Sequence, residues 1–157
     1  MGQDEVELVK DFIKLNKLKS EIIEFDKIYS IQRILKSNML PEKKIVKLKI
    51  YENEFDAVFI VVTPIEKEIS ESSIKEGIES EEIHLLDDNS SLDITGFEKD
   101  YLPLFAIYSI DFYIDESLKD LDELYCQIGE KTFLKAKMSE VIEYNYDLTF
   151  INFDKFI

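Results

Sequence analysis

Lys47 has the setting best suited to chemistry. It stands within Ile45-Val46-Lys47-Leu48-Lys49-Ile50-Tyr51, where period-two alternation predicts a strand. Val46, Leu48 and Ile50 fall on one face, and Ile45, Lys47, Lys49 and Tyr51 on the other. One face is wholly apolar and the other mixed, so the strand has a core side and a cleft side. An ammonium in apolar company can neutralise developing negative charge or hold a phosphate. The same spacing also fits a lysine on a half-exposed strand, with its stem on apolar surface and its head in water.

The other reactive side chains stand in plainer settings. The chain has one cysteine, Cys126, and one histidine, His84. A nucleophilic thiol needs a base beside it, and nothing local joins these two. Cys126 alone reads as a small apolar core residue. His84 lies in Ile83-His84-Leu85-Leu86 and reads as a structural histidine. Asp87-Asp88 could take a divalent cation, although adjacent carboxylates in a polar loop are usually just solvated. The Tyr and Phe residues of 105–113 read as core, with base stacking as the alternative. There is no phosphate-cradling Gly-rich loop, G-x-S-x-G, CxxC or HExxH, and the glycines stand apart at 2, 77, 96 and 129. No cofactor and no metal is expected.

The elements that position Lys47 belong to a chain of 157 residues, read as a single domain over 1–157. An apolar content of 45% supplies a core and excludes general disorder. No apolar run approaches the ~20 residues needed to span a bilayer. The start, Met1-Gly2-Gln3-Asp4-Glu5, is acidic rather than basic, so no signal peptide is visible. A cytoplasmic protein with no membrane partner is expected. The formal charge of −15 argues against delocalised binding to a nucleic-acid backbone, DNA included. That charge is uneven. Residues 1–50 carry 11 basic and 8 acidic side chains, whereas residues 51–157 carry 8 and 26. A phosphate-facing surface therefore belongs to the first third, where Lys43, Lys44, Lys47 and Lys49 form a basic patch.

Val6, Val9 and Phe12-Ile13 recur at helical spacing and predict a helix over 4–19. Glu21 to Phe25 reads as a short strand, and Ser30 as the N-cap of a helix through Ile31, Ile34 and Leu35. After the lysine strand, Asp56 to Thr63 is a continuous apolar run, as in a strand covered on both faces. A polar helix is expected over 67–78, a short strand over 83–86, and loops at 87–91 and 96–103. A long aromatic strand is expected over 106–115 and a helical turn at Leu118 to Leu121. Strands follow on either side of Gly129-Glu130, a tight hairpin. Ser139 reads as a helix cap, and 146–153 as the last strand. This order implies a mixed α/β sheet with helices packed on it rather than a doubly wound fold.

The succession of short segments resembles the YbaK-like superfamily, which includes the editing insertion domain of bacterial prolyl-tRNA synthetases. Its members carry a helix and then a lysine strand, matched by Ile45 to Tyr51. An apolar strand follows, matched by Val58-Phe59-Ile60-Val61-Val62. A Thr-Gly-Tyr-type loop leading to a proline is matched by Thr95-Gly96-Phe97 and Pro103. A strand ending in Asp is matched by Phe112-Tyr113-Ile114-Asp115, and a glycine hairpin by Ile128-Gly129-Glu130-Lys131.

The resemblance implies a YbaK-like fold, a central mixed sheet or partial barrel with helices around it. It implies a free-standing aminoacyl-tRNA deacylase that hydrolyses the ester of tRNA mischarged with a small amino acid such as Ala, Ser or Cys. Lys47 would be the catalytic residue, and Gly96, Pro103, Gly129 and Thr132 would bind substrate. The partners implied are the aminoacyl-tRNA acceptor end and, further, an aminoacyl-tRNA synthetase. The chain also departs from the pattern. Leu48 replaces the usual Thr or Ser after the lysine, and Asp100 replaces a loop glycine. Leu104-Phe105 stands where another glycine follows the proline, and Thr132 where synthetase-inserted members have a histidine. A carboxylate at 100 would repel a nearby phosphate. The alternatives are therefore a catalytically weakened relative that binds tRNA or a synthetase, and an interaction module using the acidic surface.

Overall fold

The computed structural model describes residues 2–145 and 147–156; Met1, Tyr146 and Ile157 lie outside the described residues. Helix α1 (Gly2–Leu15) buries Val6, Val9 and Phe12. It stops four residues short of the expected end because Lys17 turns left-handed at φ 54°. Leu18 N–H then closes back onto the Ile13 carbonyl at 2.9 Å, the bond of a Schellman cap. Strand β1 (Glu21–Glu24) follows, then α2 (Ile31–Lys36), where Ser30 Oγ accepts the Arg33 N–H at 3.1 Å as the sequence predicts.

Strands β2 (Val46–Asn53) and β3 (Val58–Pro64) form an antiparallel pair with Lys47 opposite Thr63. Helix α3 (Glu71–Gly77) is shorter than expected, because its cap is Ser70 rather than a residue near 67. Strand β4 (Ile83–Leu85) leads into α4 (Asp88–Thr95), a helix in place of the expected loop. Asp87 explains the difference: its Oδ1 accepts the Ser90 N–H at 2.8 Å, an N-cap that sets the following turn. The expected aromatic strand is also shortened. Positive φ at Ala106 and Ser109 keeps that stretch irregular, and β5 spans only Asp111–Asp115.

The turn at Glu130-Lys131 joins β6 (Glu123–Gly129) to β7 (Thr132–Lys137). Helix α5 (Met138–Tyr144) begins one residue before Ser139, and its preceding residue Lys137 provides no side-chain cap. Strand β8 (Leu148–Ile151) lies inside the expected final strand and gives way to a 3-10 turn over Phe153–Phe156.

Two sheets result. One is antiparallel with order β1-β7-β6; the other is mixed with order β4-β2-β3-β5-β8, where β3, β5 and β8 run parallel. Period-two alternation builds the main core between them. Leu124, Cys126, Ile128, Leu134 and Ala136 face Val46, Ile50, Ile60, Val62, Phe112 and Ile114, with α1 closing one end. The opposite faces are covered as well. Tyr125 and Phe133 pack with Ile34 under α2, and Tyr51, Phe59 and Val61 pack with Ile74 of α3 and Phe153. The architecture is the mixed α/β arrangement expected, and a parallel bridge, Ile45 to Tyr125, links the two sheets into a partial barrel.

Of the aromatic residues expected in the core at 105–113, Phe105 and Phe112 serve it, Tyr113 packs against the cluster under α3, and Tyr108 is exposed. Phe105 is fully buried and stacks on Phe12 with ring centroids 5.3 Å apart.

Candidate active site

Strand β2 is the hinge of the architecture, and the site follows from how it is flanked. At Ile45 it is bridged to Tyr125, the residue in β6; from Tyr51 onward it pairs with β4. Between those points no described strand lies on that side. The Ile45 carbonyl accepts the Ile65 N–H on the β3 side, and the Ile50 carbonyl accepts the Leu86 N–H on the opposite side. Backbone groups alternate direction along a strand, so Leu48, in phase with Ile50, turns its N–H and C=O away from β3 into the gap. The gap is a cavity of about 230 Å³.

Apolar side chains form most of the cavity wall: Ile31 from α2, Ile45, Ile65, Leu102 and Phe133. Lys47, Lys49, Gln127 and Asp100 contribute the polar groups. Gln127 is held by the hairpin, its Nε2 donating to the Gly129 carbonyl at 3.0 Å. A smaller cavity of about 110 Å³ adjoins the first, sharing Leu48, Lys49 and Asp100 and adding Lys99.

The Lys47 side chain is 21% exposed, and its Nζ donates to Glu68 Oε1 at 2.9 Å. Glu68 itself is 83% exposed. The hydrogen bond from Lys47, its charge and that of Lys49 hold the Glu68 carboxyl below its usual range. Glu68 therefore stays ionised at neutral pH and occupies the lysine as a removable anion. The rest of the expected basic patch is partly neutralised: Lys44 pairs with Asp122 at 3.0 Å and with Glu123 at 3.5 Å.

The four residues that the resemblance assigns to substrate binding, Gly96, Pro103, Gly129 and Thr132, do not line the cavity. Pro103 is buried beside Leu102. Gly129 and Thr132 face each other across the hairpin, next to Gln127 and Phe133. A Cβ at Gly129 would meet Val6 Cγ2 at 3.2 Å, so this glycine lets α1 approach the hairpin. Gly96 ends α4 at φ 86°, with its N–H on the Leu92 carbonyl, and no atom lies within 4 Å of where its Cβ would be. Its requirement is conformational. Gly96→Ala is expected to destabilise the fold by about 1–2 kcal/mol, the cost of a left-handed alanine, read as a lowered thermal midpoint.

The remaining candidates resolve into structural roles. His84 Nε2 lies 3.4 Å from Glu52 Oε1 near the far end of β2, while Cys126 points into the main core, so they form no dyad. Burial pushes the Cys126 thiol up to about 12. Asp87 caps α4. Among the described residues, no group of three or more His, Cys, Asp or Glu could hold a metal ion, and no helix is long and apolar enough to cross a membrane.

Two sheets parted around a lysine strand are an arrangement with solved counterparts. The chain superposes on a hypothetical protein, APE2540, with TM-score 0.75 and 22% identity, covering 92% of this chain and 98% of that one. It superposes on a proposed trans-editing enzyme for prolyl tRNA synthetase with TM-score 0.77 and 11% identity, covering 94% of this chain and 96% of that one. At such identities these likenesses show the fold. No curated protein sequence matches the chain. The aminoacyl-tRNA editing domain model matches residues 26–136, well over half of the chain. The chain belongs to the aminoacyl-tRNA editing domain family.

Proposed function

We propose that this protein is a single-domain deacylase acting in trans on tRNA mischarged with a small amino acid, of the Ala, Ser or Cys type. The observation that carries this reading is the cavity of about 230 Å³ with Lys47 on its wall. It is smaller than the roughly 300–1,000 Å³ of pockets that enclose a drug-sized ligand. It therefore suits an aminoacyl group with a short side chain, leaving the terminal adenosine outside. One methylene is worth only about 1–3 kcal/mol in a synthetase pocket, which is why a second sieve of this size is useful.

Each described group has a role. Lys47 exchanges Glu68 for the terminal phosphate and holds positive charge near the ester. The Leu48 N–H, on the unpaired edge of β2, donates to the carbonyl oxygen as it becomes an oxyanion. Water supplies the nucleophile. Its oxygen bonds to the carbonyl carbon, the ester C–O bond breaks, and the ribose oxygen leaves with a proton. An aminoacyl ester is already activated, so positioning and charge suffice without a protein nucleophile. Cys126 is not one, being a buried neutral thiol. The acidic remainder of the surface limits tRNA contact to the acceptor end, or requires a synthetase beside it.

The test is a deacylation screen across tRNAs mischarged with Ala, Ser, Cys and Pro. Hydrolysis of the small-residue esters supports the reading; hydrolysis of none of them sinks it. Glu68→Gln is expected to lower KM by roughly two- to fivefold, the scale of an exposed ion pair, with kcat little changed. A second reading, a relative that binds tRNA or a synthetase without hydrolysis, is favoured by one observation. Leu104 and Phe105 are fully buried, so those loop positions serve the core and offer substrate nothing.

A further inference from the structure

Asp100 is the only acidic residue on the wall of either the main cavity or the smaller one beside it, among the described residues. It makes no hydrogen bond or ion pair with another described residue, although Lys47, Lys49 and Lys99 line the same two cavities. The backbone around it is fixed. Tyr101 N–H donates to the Glu98 carbonyl at 3.0 Å, which closes a turn with Lys99 and Asp100 at its corners. Lys99 N–H donates to Asp88 Oδ1 at 3.3 Å, tying that turn to the start of α4. A carboxylate with no partner is thus held on a wall that it shares with the backbone of Leu48.

Resting on the deacylase reading, we propose that Asp100 binds the α-ammonium group of the aminoacyl ester. The acceptor end of a charged tRNA has an ammonium on one side of the ester and a phosphodiester on the other. The wall offers a matching set: Asp100 for the ammonium, the Leu48 N–H for the ester carbonyl, and Lys47 for the phosphate. A carboxylate–ammonium contact is charge-assisted and directional. It is made only by an ester whose amine is free. The residue that looks like a defect when only the phosphate is considered becomes the group that selects aminoacyl esters over N-acylated ones.

The experiment compares a minihelix RNA charged with alanine against the same RNA charged with N-acetylalanine. Each enzymatic rate is divided by the spontaneous rate of that ester. Wild type is expected to favour the free amine by roughly 10- to 100-fold in kcat/KM, the worth of a hydrogen bond to a charged group. Asp100→Asn is expected to lower kcat/KM for the free amine and bring the ratio close to one, with Asp100→Glu restoring part of it. A ratio kept in Asp100→Asn would show that the acetyl group is excluded by shape and overturn the role of Asp100, leaving the deacylase reading intact. Equal wild-type rates on both esters would do the same. If wild type hydrolyses neither ester, the deacylase reading falls and takes this inference with it. Asp100 is exposed, so circular dichroism of the variants is expected to match wild type.

Discussion

Lys47→Met is expected to lower kcat/KM for deacylation of alanine-charged tRNA by roughly 10²–10³-fold, the range found when a positioned group that stabilises transition-state charge is removed. Methionine is the informative replacement. The lysine stem lies along the cavity wall, and truncation to alanine would remove packing together with charge. With the stem kept, the thermal midpoint is expected to stay within about 2 °C of wild type, since the ion pair lost is with a largely exposed Glu68. Single-turnover assays with a melting curve for each variant check both halves. Full activity in a folded Lys47→Met protein would show that the lysine is only a neighbour of the chemistry.

The second large effect concerns stability. The Asp115 side chain is 2% exposed and lies 2.9 Å from Lys67 Nζ, and Ser117 Oγ donates to it at 2.6 Å. Lys67 also reaches Asp154 at 2.9 Å, so one ammonium fastens the end of β5 to the C-terminal 3-10 turn. Asp115→Ala leaves Lys67 with its exposed partner alone and removes the Ser117 acceptor. Breaking a buried pair from one side typically costs about 3–5 kcal/mol. For a chain of this size that is roughly 6–20 °C in thermal midpoint, measurable by calorimetry. A loss no greater than that of an exposed pair would mean that the clamp is dispensable. Lys67→Met is expected to be as damaging, because it strands the buried carboxylate instead.

Local chemistry made much of the fold legible. Alternation alone placed Val46 and Ile50 toward the core, and the unbroken run from Val58 to Val62 correctly signalled a strand covered on both faces. Ser30 announced its helix. Where local signals compete, composition misleads. Asp87-Asp88-Asn89-Ser90-Ser91 has the composition of a loop, and only the cap made by Asp87 turns it into a helix. The aromatic run after Ala106 has strand propensity, yet two left-handed residues override it.

Of the residues lining the candidate cavity, Lys47 is the one that its own strand marks in the sequence. The cavity that it lines could not be read there, since it depends on the bridge between Ile45 and Tyr125, residues far apart in sequence. Gln127 and Phe133 face each other across β6 and β7, so the hairpin register carried a signal for both, but nothing local placed that hairpin beside β2. Asp100 stands out in the sequence only as a departure from the resemblance, because the effect of its charge depends on what folding brings near it.

The parted strands have one more effect. An unpaired β-edge is a template on which another chain can add a strand, and proteins blunt such edges to avoid aggregation. Here the bare stretch around Leu48 is recessed between β6 and the loop carrying Asp100, with lysines on its outward side. On the deacylase reading, a slender nucleic-acid terminus would reach that edge where a second sheet would not. The same recess would then guard the protein against polymerising through the edge it leaves open.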